Sequence, residues 1–541
     1  MTNTTTAEAE SQKQPATQSA QKETFVAGSA SADNNVPLVF SCLMLGMLMS
    51  SLGQMIFSTA LPTLVGDLGG VDKMSWVITI FLLTMTIGMP VYGKLGDQMG
   101  RKPLYMVAIV LFLIGSTIGA LAQNMEMMIL ARGVQGLGAG GLMIGAQAII
   151  ADVVSARDRG RYMGIMGGVF GLSSVLGPLL GGFFTDGPGW RWALWFNLPL
   201  GIITLVMVAF NLKLPKRGSG ANLDVPGTIL MAGTTSCLIL FLTWGGRDHP
   251  WNSPIIIGLI AATIILGAAF VLVERRVKEP LIPMGLFRVR NFSLTTLAGI
   301  IAGVVMFGTL AYLPTYIQMV HGMSPTKAGL MMIPMMAGMI VTSVTVGQHV
   351  SRTGRYKWFP VVGLLVTATA TFLMGGFTAD DSLVHLGLVL ALMGMGLGLT
   401  MQLLVLIVQN AFPVRIVGTA TATNNFFRQI GGAAGSAIIG SVFIHRVGEL
   451  LSQRMPAALQ EMAAKAGPDA VKPYAEQFAQ GGASQLTPSI VDKLPPELAH
   501  VIITSYNDGL TPALMALTPA AIVAALILSF VRQDHLKETV E

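Results

Sequence analysis

Apolar runs of about twenty residues recur along this chain from residue 36 onward, each ended by a short polar or glycine-rich stretch. At a rise of about 1.5 Å per residue, a helix of that length crosses the hydrocarbon core of a bilayer. The pattern predicts about fourteen spans, near 36–60, 74–93, 104–123, 126–149, 161–183, 191–212, 225–243, 254–273, 292–318, 326–348, 359–378, 384–410, 416–443 and 510–531. An even number brings both ends of the chain to one side. Ahead of the first run, residues 1–34 are rich in Thr, Ala, Ser, Gln and Glu without an apolar period, the composition of a disordered tail. The first run lies well inside the chain and is too long for the apolar part of a cleaved leader, so no signal peptide is read.

The breaks between runs alternate in charge. One set carries Lys94, Arg101 and Lys102; Arg157, Arg159 and Arg161; Lys213, Lys216 and Arg217; Arg275, Arg276, Lys278, Arg288 and Arg290; and Arg352, Arg355 and Lys357. The other set has isolated charges such as Lys73, Arg191 and Arg247. Lysine and arginine mark cytoplasmic loops, so both termini are expected inside the cell and the chain in the cytoplasmic membrane, of a bacterium on this reading. One outer break, 446–509, is long, with helical pieces expected at Glu449–Ala463 and Leu494–Tyr506. It reads as an external tether or a small cap. The expected domains are a tail at 1–34, six spans in 35–212, a linker with two extra spans in 213–291, six spans in 292–532, and a tail at 533–541.

Composition agrees. Hydrophobic residues make up 52% and charged residues 11%, with a mean hydropathy of +0.65. A soluble chain of this length needs more charge to cover its surface. The net charge of +6 is scattered in short loop clusters, which are topology signals and not a nucleic-acid surface. Cys42 and Cys237 fall inside apolar runs and read as small buried side chains. The 34 methionines read as adaptable fillers of helix interfaces and greasy cavities, since no tight Met/Cys/His cluster accompanies them. No nucleophile constellation, metal-ligand spacing or phosphate-binding loop is present, so neither an enzyme nor a cofactor or metal protein is expected. Energy must then come from a gradient.

The stretch Gly93-Lys94-Leu95-Gly96-Asp97-Gln98-Met99-Gly100-Arg101-Lys102 is a basic, glycine-rich turn between two spans. It has an echo about 250 residues later, where Gly347, Gly354 and Arg355 match Gly93, Gly100 and Arg101, and Ser351 replaces Asp97. Parallel repeats of this kind build secondary transporters around a central path. Asp97 can accept hydrogen bonds from a helix N-terminus, where negative charge is favoured.

With these motifs the chain resembles the major facilitator superfamily, and within it the fourteen-helix drug:proton antiporter branch. The 93–102 turn resembles the superfamily's motif between helices two and three. Arg132-Gly133-Val134-Gln135-Gly136-Leu137-Gly138 resembles its helix-four motif, and Gly171 through Gly182, with Gly177, Pro178 and Gly181, the helix-five motif of antiporters. Trp192–Gly201 and Phe426-Phe427-Arg428-Gln429-Ile430-Gly431-Gly432 are similar to branch signatures. The resemblance implies an all-α polytopic fold of two six-helix bundles plus two extra spans. It also implies a proton-coupled exporter, acting as a monomer, in which Gly93, Asp97, Gly100, Arg101 and Asp152 form an inner gate. An ordinary turn held by surface charges is the plainer alternative for the gate, and tight helix packing for the helix-five motif. In one place the chain departs from the branch: Gly53 stands where the helix-one pattern usually has an acid.

The polar residues inside the spans indicate where a path could run. Arg428 lies thirteen residues beyond Arg415, about 20 Å along a helix, and a mid-membrane arginine costs at least about 2.5–3.5 kcal/mol unless it faces a cavity or a partner. It is the leading candidate for the central path. Arg132 lies about 9 Å from the outer end of its helix, close enough to snorkel outward. Gln54, Asn197, Gln402, Gln409, Asn424 and Asn425, with Phe57, Tyr312 and Tyr316, are candidate cavity walls, although each alone is more often helix–helix glue. No carboxylate is expected at mid-membrane: Asp67, Glu126, Asp152, Asp186 and Glu274 all fall near span ends. A neutral, zwitterionic or anionic amphiphile is therefore expected as substrate, with Arg132, Gln135, Arg428, Gln54 and an edge group such as Glu126 or Asp152 on the proton and substrate path. A dedicated metabolite or lipid exporter, and a non-transporting sensor or scaffold, remain open.

Overall fold

The structure, a computed structural model, describes residues 35–69, 73–214, 224–246, 248–466, 491 and 494–536. The expected tail at 1–34, the middle of the long outer break, the end of the chain, and Lys216, Arg217 and Arg247 lie outside the described residues. Among the described residues there are fourteen apolar helical segments, thirteen of them long and apolar enough to cross a membrane and one, α11, shorter: α1 (Val36–Met55 with Phe57–Leu68), α2 (Met74–Met99), α3 (Arg101–Ala120), α4 (Met125–Val153), α5 (Ala156–Asp186), α6 (Arg191–Trp195 with Asn197–Asn211), α7 (Val225–Trp244), α8 (Pro254–Glu274), α9 (Arg290–Leu310 with Leu313–His321), α10 (Pro325–Met331 with Ile333–Thr353), α11 (Trp358–Met374), α12 (Leu383–Asn410), α13 (Val417–Ala466) and α14 (Pro496–Met515 with Thr518–Ser529). Four of these are interrupted next to the residue whose carbonyl a proline four positions on cannot engage: Pro199 in α6, Pro314 in α9, Pro334 in α10 and Pro519 in α14.

Packing repeats with an offset of eight helices. In the first half α4 packs on α2 and α3, α5 on α1, and α6 on α1 and α3. In the second, α12 packs on α10 and α11, α13 on α9, and α14 on α9 and α11. The halves meet along two equivalent seams, α2 against α13 and α5 against α10. The echo of residues 93–101 at 347–355 is thus one visible trace of a repeat that covers both bundles. Outside it stand α7 and α8. Helix α7 lies on α2 and α13, while α8 packs mainly on α7 and is apolar on all sides, as a helix facing lipid must be.

The long outer break is shorter than its sequence implied. Helix α13 runs 50 residues, about 75 Å, and so continues far past the hydrocarbon thickness. The piece expected at Glu449–Ala463 is its extension, and most of that at Leu494–Tyr506 begins α14. The two extensions pack through Val447, Leu451, Met455, Met462, Leu498 and Ile502 in the core of the second half, and Arg454 pairs with Asp508 at 2.7 Å. Apolar residues on one face of each extension continue the bundle out of the membrane.

Candidate functional site

The basic loops converge at one end of the bundle, where Arg157 of α5 donates to the carbonyls of Ser351 and Arg352 of α10, both at 3.2 Å. At the other seam Gly100, with φ +100°, ends α2 and starts α3 in a turn that a side chain would strain. This places Asp97 and Arg101 side by side. Arg101 is 3% exposed and contacts Asp97 at 2.8 Å, Asp152 of α4 at 2.7 Å, the Val414 carbonyl at 3.0 Å and the Ala148 carbonyl. Asp97 accepts from the backbone N–H of Gly418 at 3.2 Å and of Thr419 at 2.7 Å, and from the Thr419 hydroxyl at 2.9 Å. It therefore caps the N-terminus of α13, in the opposite half. Gly93 makes the approach possible, since a Cβ there would sit 2.4 Å from that of Ala422.

Farther along the seam is a cavity of about 40 Å³, room for only a few waters. Its walls are Met47, Ser50, Ser51 and Gln54 of α1, Met85 of α2, Met143 of α4, Phe170 of α5, Met306 and Phe307 of α9, Met339 of α10, Met401 and Gln402 of α12, and Arg428 and Gln429 of α13. Of the expected path residues, Gln54, Gln402 and Arg428 line it. Six methionines, two serines and Gln429 were not singled out from sequence.

The other expected residues lie elsewhere. Arg132 is enclosed in the first half, between the rings of Phe57 and Phe81 at 4.2 and 4.0 Å, and donates to Gly53 O at 2.9 Å, Val77 O at 3.2 Å and Gln135 Oε1 at 2.5 Å. It does not snorkel, and neither it nor Gln135 nor Phe57 lines the cavity. Glu126, at the start of α4, is exposed and paired with Lys73, and it does not line the cavity. Tyr312 donates to Ser436 O at 2.9 Å and Tyr316 to Asn507 Oδ1 at 2.8 Å; Asn197 donates to Ser116 at 3.4 Å and Asn424 to Thr296 at 3.2 Å. These four join helices within a half.

Gln409 and Asn425 do more. Gln409 donates to the Gln147 carbonyl at 3.0 Å, and Asn425 to Gln147 Oε1 at 2.9 Å while accepting from Arg428. A polar chain thus runs from the cavity across the seam to Gln147 of α4, whose neighbour Ala148 accepts from Arg101. Gln147 was missed, though an amide in an otherwise apolar run was the signal. The α5 motif packs closely: a Cβ on Gly177 would lie 2.3 Å from that of Met55, Gly171 faces Met339, Gly182 faces Thr326, and Gly181 O accepts from Thr185 at 2.5 Å. Helix α5 is unbroken through Pro178.

Glu274, at the end of α8, is 3% exposed and accepts from the N–H groups of Leu281 and Ile282 at 3.2 and 3.1 Å. The loop it ties down carries Glu279, which pairs with Lys94 at 3.1 Å and accepts from Gln98.

Two repeated halves of helices long and apolar enough to cross a membrane enclose a small, largely methionine-lined cavity. The chain belongs to the Major Facilitator Superfamily, whose family model matches residues 43–436. It is 35% identical to multidrug transporter protein MdtP of Bacillus subtilis, over 88% of each chain. It is 32% identical to multidrug resistance protein 3 of the same organism, over 92% of this chain and 96% of that one. The solved structure of the proton:xylose symporter XylE shares the fold, with a TM-score of 0.59 at 14% identity over 94% of this chain and 98% of that one.

Proposed function

We propose that this transporter is an exporter of amphiphilic small molecules, driven by proton antiport and acting as a monomer in the cytoplasmic membrane with its basic end inside the cell. The observation that carries the reading is the pairing of a cavity with a closed, charged contact between the halves at one end. A space of about 40 Å³ cannot hold a drug-sized molecule, so loading requires the halves to part, and a repeat-built bundle parts by rocking about its centre. The contact of Asp97 with α13 is then the inner gate, and Arg101 with Asp152 its support. The names of the relatives from Bacillus subtilis favour efflux over uptake. With Glu126 on the surface, Asp152 is the remaining edge carboxylate of the two considered for proton coupling.

The test is substrate-dependent proton movement in proteoliposomes across a panel of dyes and metabolites. Proton movement opposite in direction to the solute flux supports the reading, and movement in the same direction would overturn the antiport part of it. Flux of a single metabolite and no dye would favour a dedicated exporter. Absence of flux under any gradient would overturn transport altogether.

A further inference from the structure

We infer that Arg428 and Gln402 form the docking point for an acidic head on the transported amphiphile, a narrowing that rests on the exporter reading above. Two buried polar atoms of the cavity walls have no protein partner: the donor Nε of Arg428 and the acceptor Oε1 of Gln402. Arg428 is 6% exposed, and its Nη2 donates to Asn425. None of the residues lining the cavity carries a negative charge.

A guanidinium in an apolar enclosure matches a carboxylate or phosphate in shape and charge. A cationic head placed there would meet like charge with little screening. The Gln402 oxygen asks for a hydrogen-bond donor beside the acid, such as an amide N–H or a hydroxyl. The remaining wall is methionine with Phe170 and Phe307, soft enough to fit apolar tails of differing shape. The ligand class is therefore an amphiphilic acid with a neighbouring donor. Its binding also reaches the seam: an acid that draws Arg428 away from Asn425 alters the residue that bonds Gln147 in the other half at 2.9 Å.

The experiment uses the full chain in lipid nanodiscs and three probes with one acyl chain: an N-acylglycine, its methyl ester, and an acylamidoethyl-trimethylammonium. Binding of the acid at least about tenfold tighter than the ester is expected, with the cation weakest. Arg428→Gln should erase the acid–ester difference and Arg428→Lys should keep part of it, since a lysine retains charge without the planar fork. Gln402→Leu should weaken acid and ester alike, because both keep the amide N–H. A cation that binds the unaltered protein as well as the acid does, or an acid–ester difference that survives Arg428→Gln, would overturn the proposal. If Arg428→Gln fails to fold, the ranking on the unaltered protein decides alone. Tight acid binding without flux under any gradient would uphold the site and remove the exporter reading; gradient-driven export with the cation preferred would do the reverse.

Discussion

The two seams occupy equivalent places in the repeat yet are built from different forces. At α2–α13 a buried carboxylate holds three donors of the opposite helix, and a buried arginine spans two acids. At α5–α10 the equivalent residue is Ser351, whose hydroxyl reaches Asp158 at a weak 3.4 Å, and Arg355, the counterpart of Arg101, is exposed. Closure there is mainly by backbone contact: Gly160, Gly164 and Gly347 leave no space for a Cβ, and Ser343 donates to Gly164 O at 2.8 Å. Arg157 meets backbone carbonyls at the end of α10, with no buried acid among the described residues of this seam. A charged contact is strong in one geometry and costly once separated, whereas small-residue packing tolerates gradual sliding. One seam has the makings of a latch and the other of a hinge surface.

The largest effect is expected from filling the hinge side. A Cβ at position 347 would lie 2.3 Å from Gly160 O, so Gly347→Val forces two backbones apart and should cut transport by about tenfold or more. Labelling of the basic end by a membrane-impermeant reagent should rise in parallel. Unchanged transport would mean that this seam is open during most of the cycle. Next comes Asp97→Asn, which keeps the side-chain shape but removes the charge that three donors and Arg101 address. Transport should fall about tenfold at constant membrane abundance, while Ser351→Ala at the twin position should stay within about twofold. Equal losses at the two positions would erase the distinction between latch and hinge; a loss of abundance in Asp97→Asn would reduce the latch to a structural turn.

The asymmetry was partly legible. Replacement of Asp97 by Ser351 in the echo is plain in the sequence, and so is the capacity of Asp97 to cap a helix start, but that this start is α13, in the other half, was not legible. The spans were legible too, because bilayer thickness fixes their length. What the sequence did not convey is facing. A helix apolar all round gives no sign of which methionines turn inward, so Met47, Met85 and Met306 could not be told from lipid-facing neighbours. Tyr312 and Tyr316 looked like cavity walls because their partners, Ser436 O and Asn507, lie 124 and 191 residues away. Arg428 was legible for the opposite reason: the cost of a mid-membrane guanidinium restricts it to a cavity or a partner, and here it has both.

Among the described residues the extra pair α7–α8 packs chiefly on the latch side, through α7 on α2 and α13, and it offers finer tests of the same contrast. Glu274→Ala strands the buried N–H groups of Leu281 and Ile282, which should lower stability by about 1–3 kcal/mol, read as an earlier thermal transition in detergent. Glu274→Gln, which keeps one acceptor well placed, should recover part of that loss.

The smallest effect is expected at Glu279. Its hydrogen bond and charge contact with Lys94 hold its carboxyl below the ordinary glutamate range. A carboxyl lowered in the folded state contributes stability that is present above its unfolded value and disappears as pH falls through the lowered one. The clasp on α2 should thus be intact at neutral pH and loosen only in acid. Being half exposed, it is worth little by itself, so Glu279→Gln should leave neutral transport nearly unchanged and flatten the acid limb of a melting profile taken against pH. A wild-type acid limb that persists in the variant would separate α7–α8 from the latch and leave Asp97 with Arg101 as the whole of the difference between the seams.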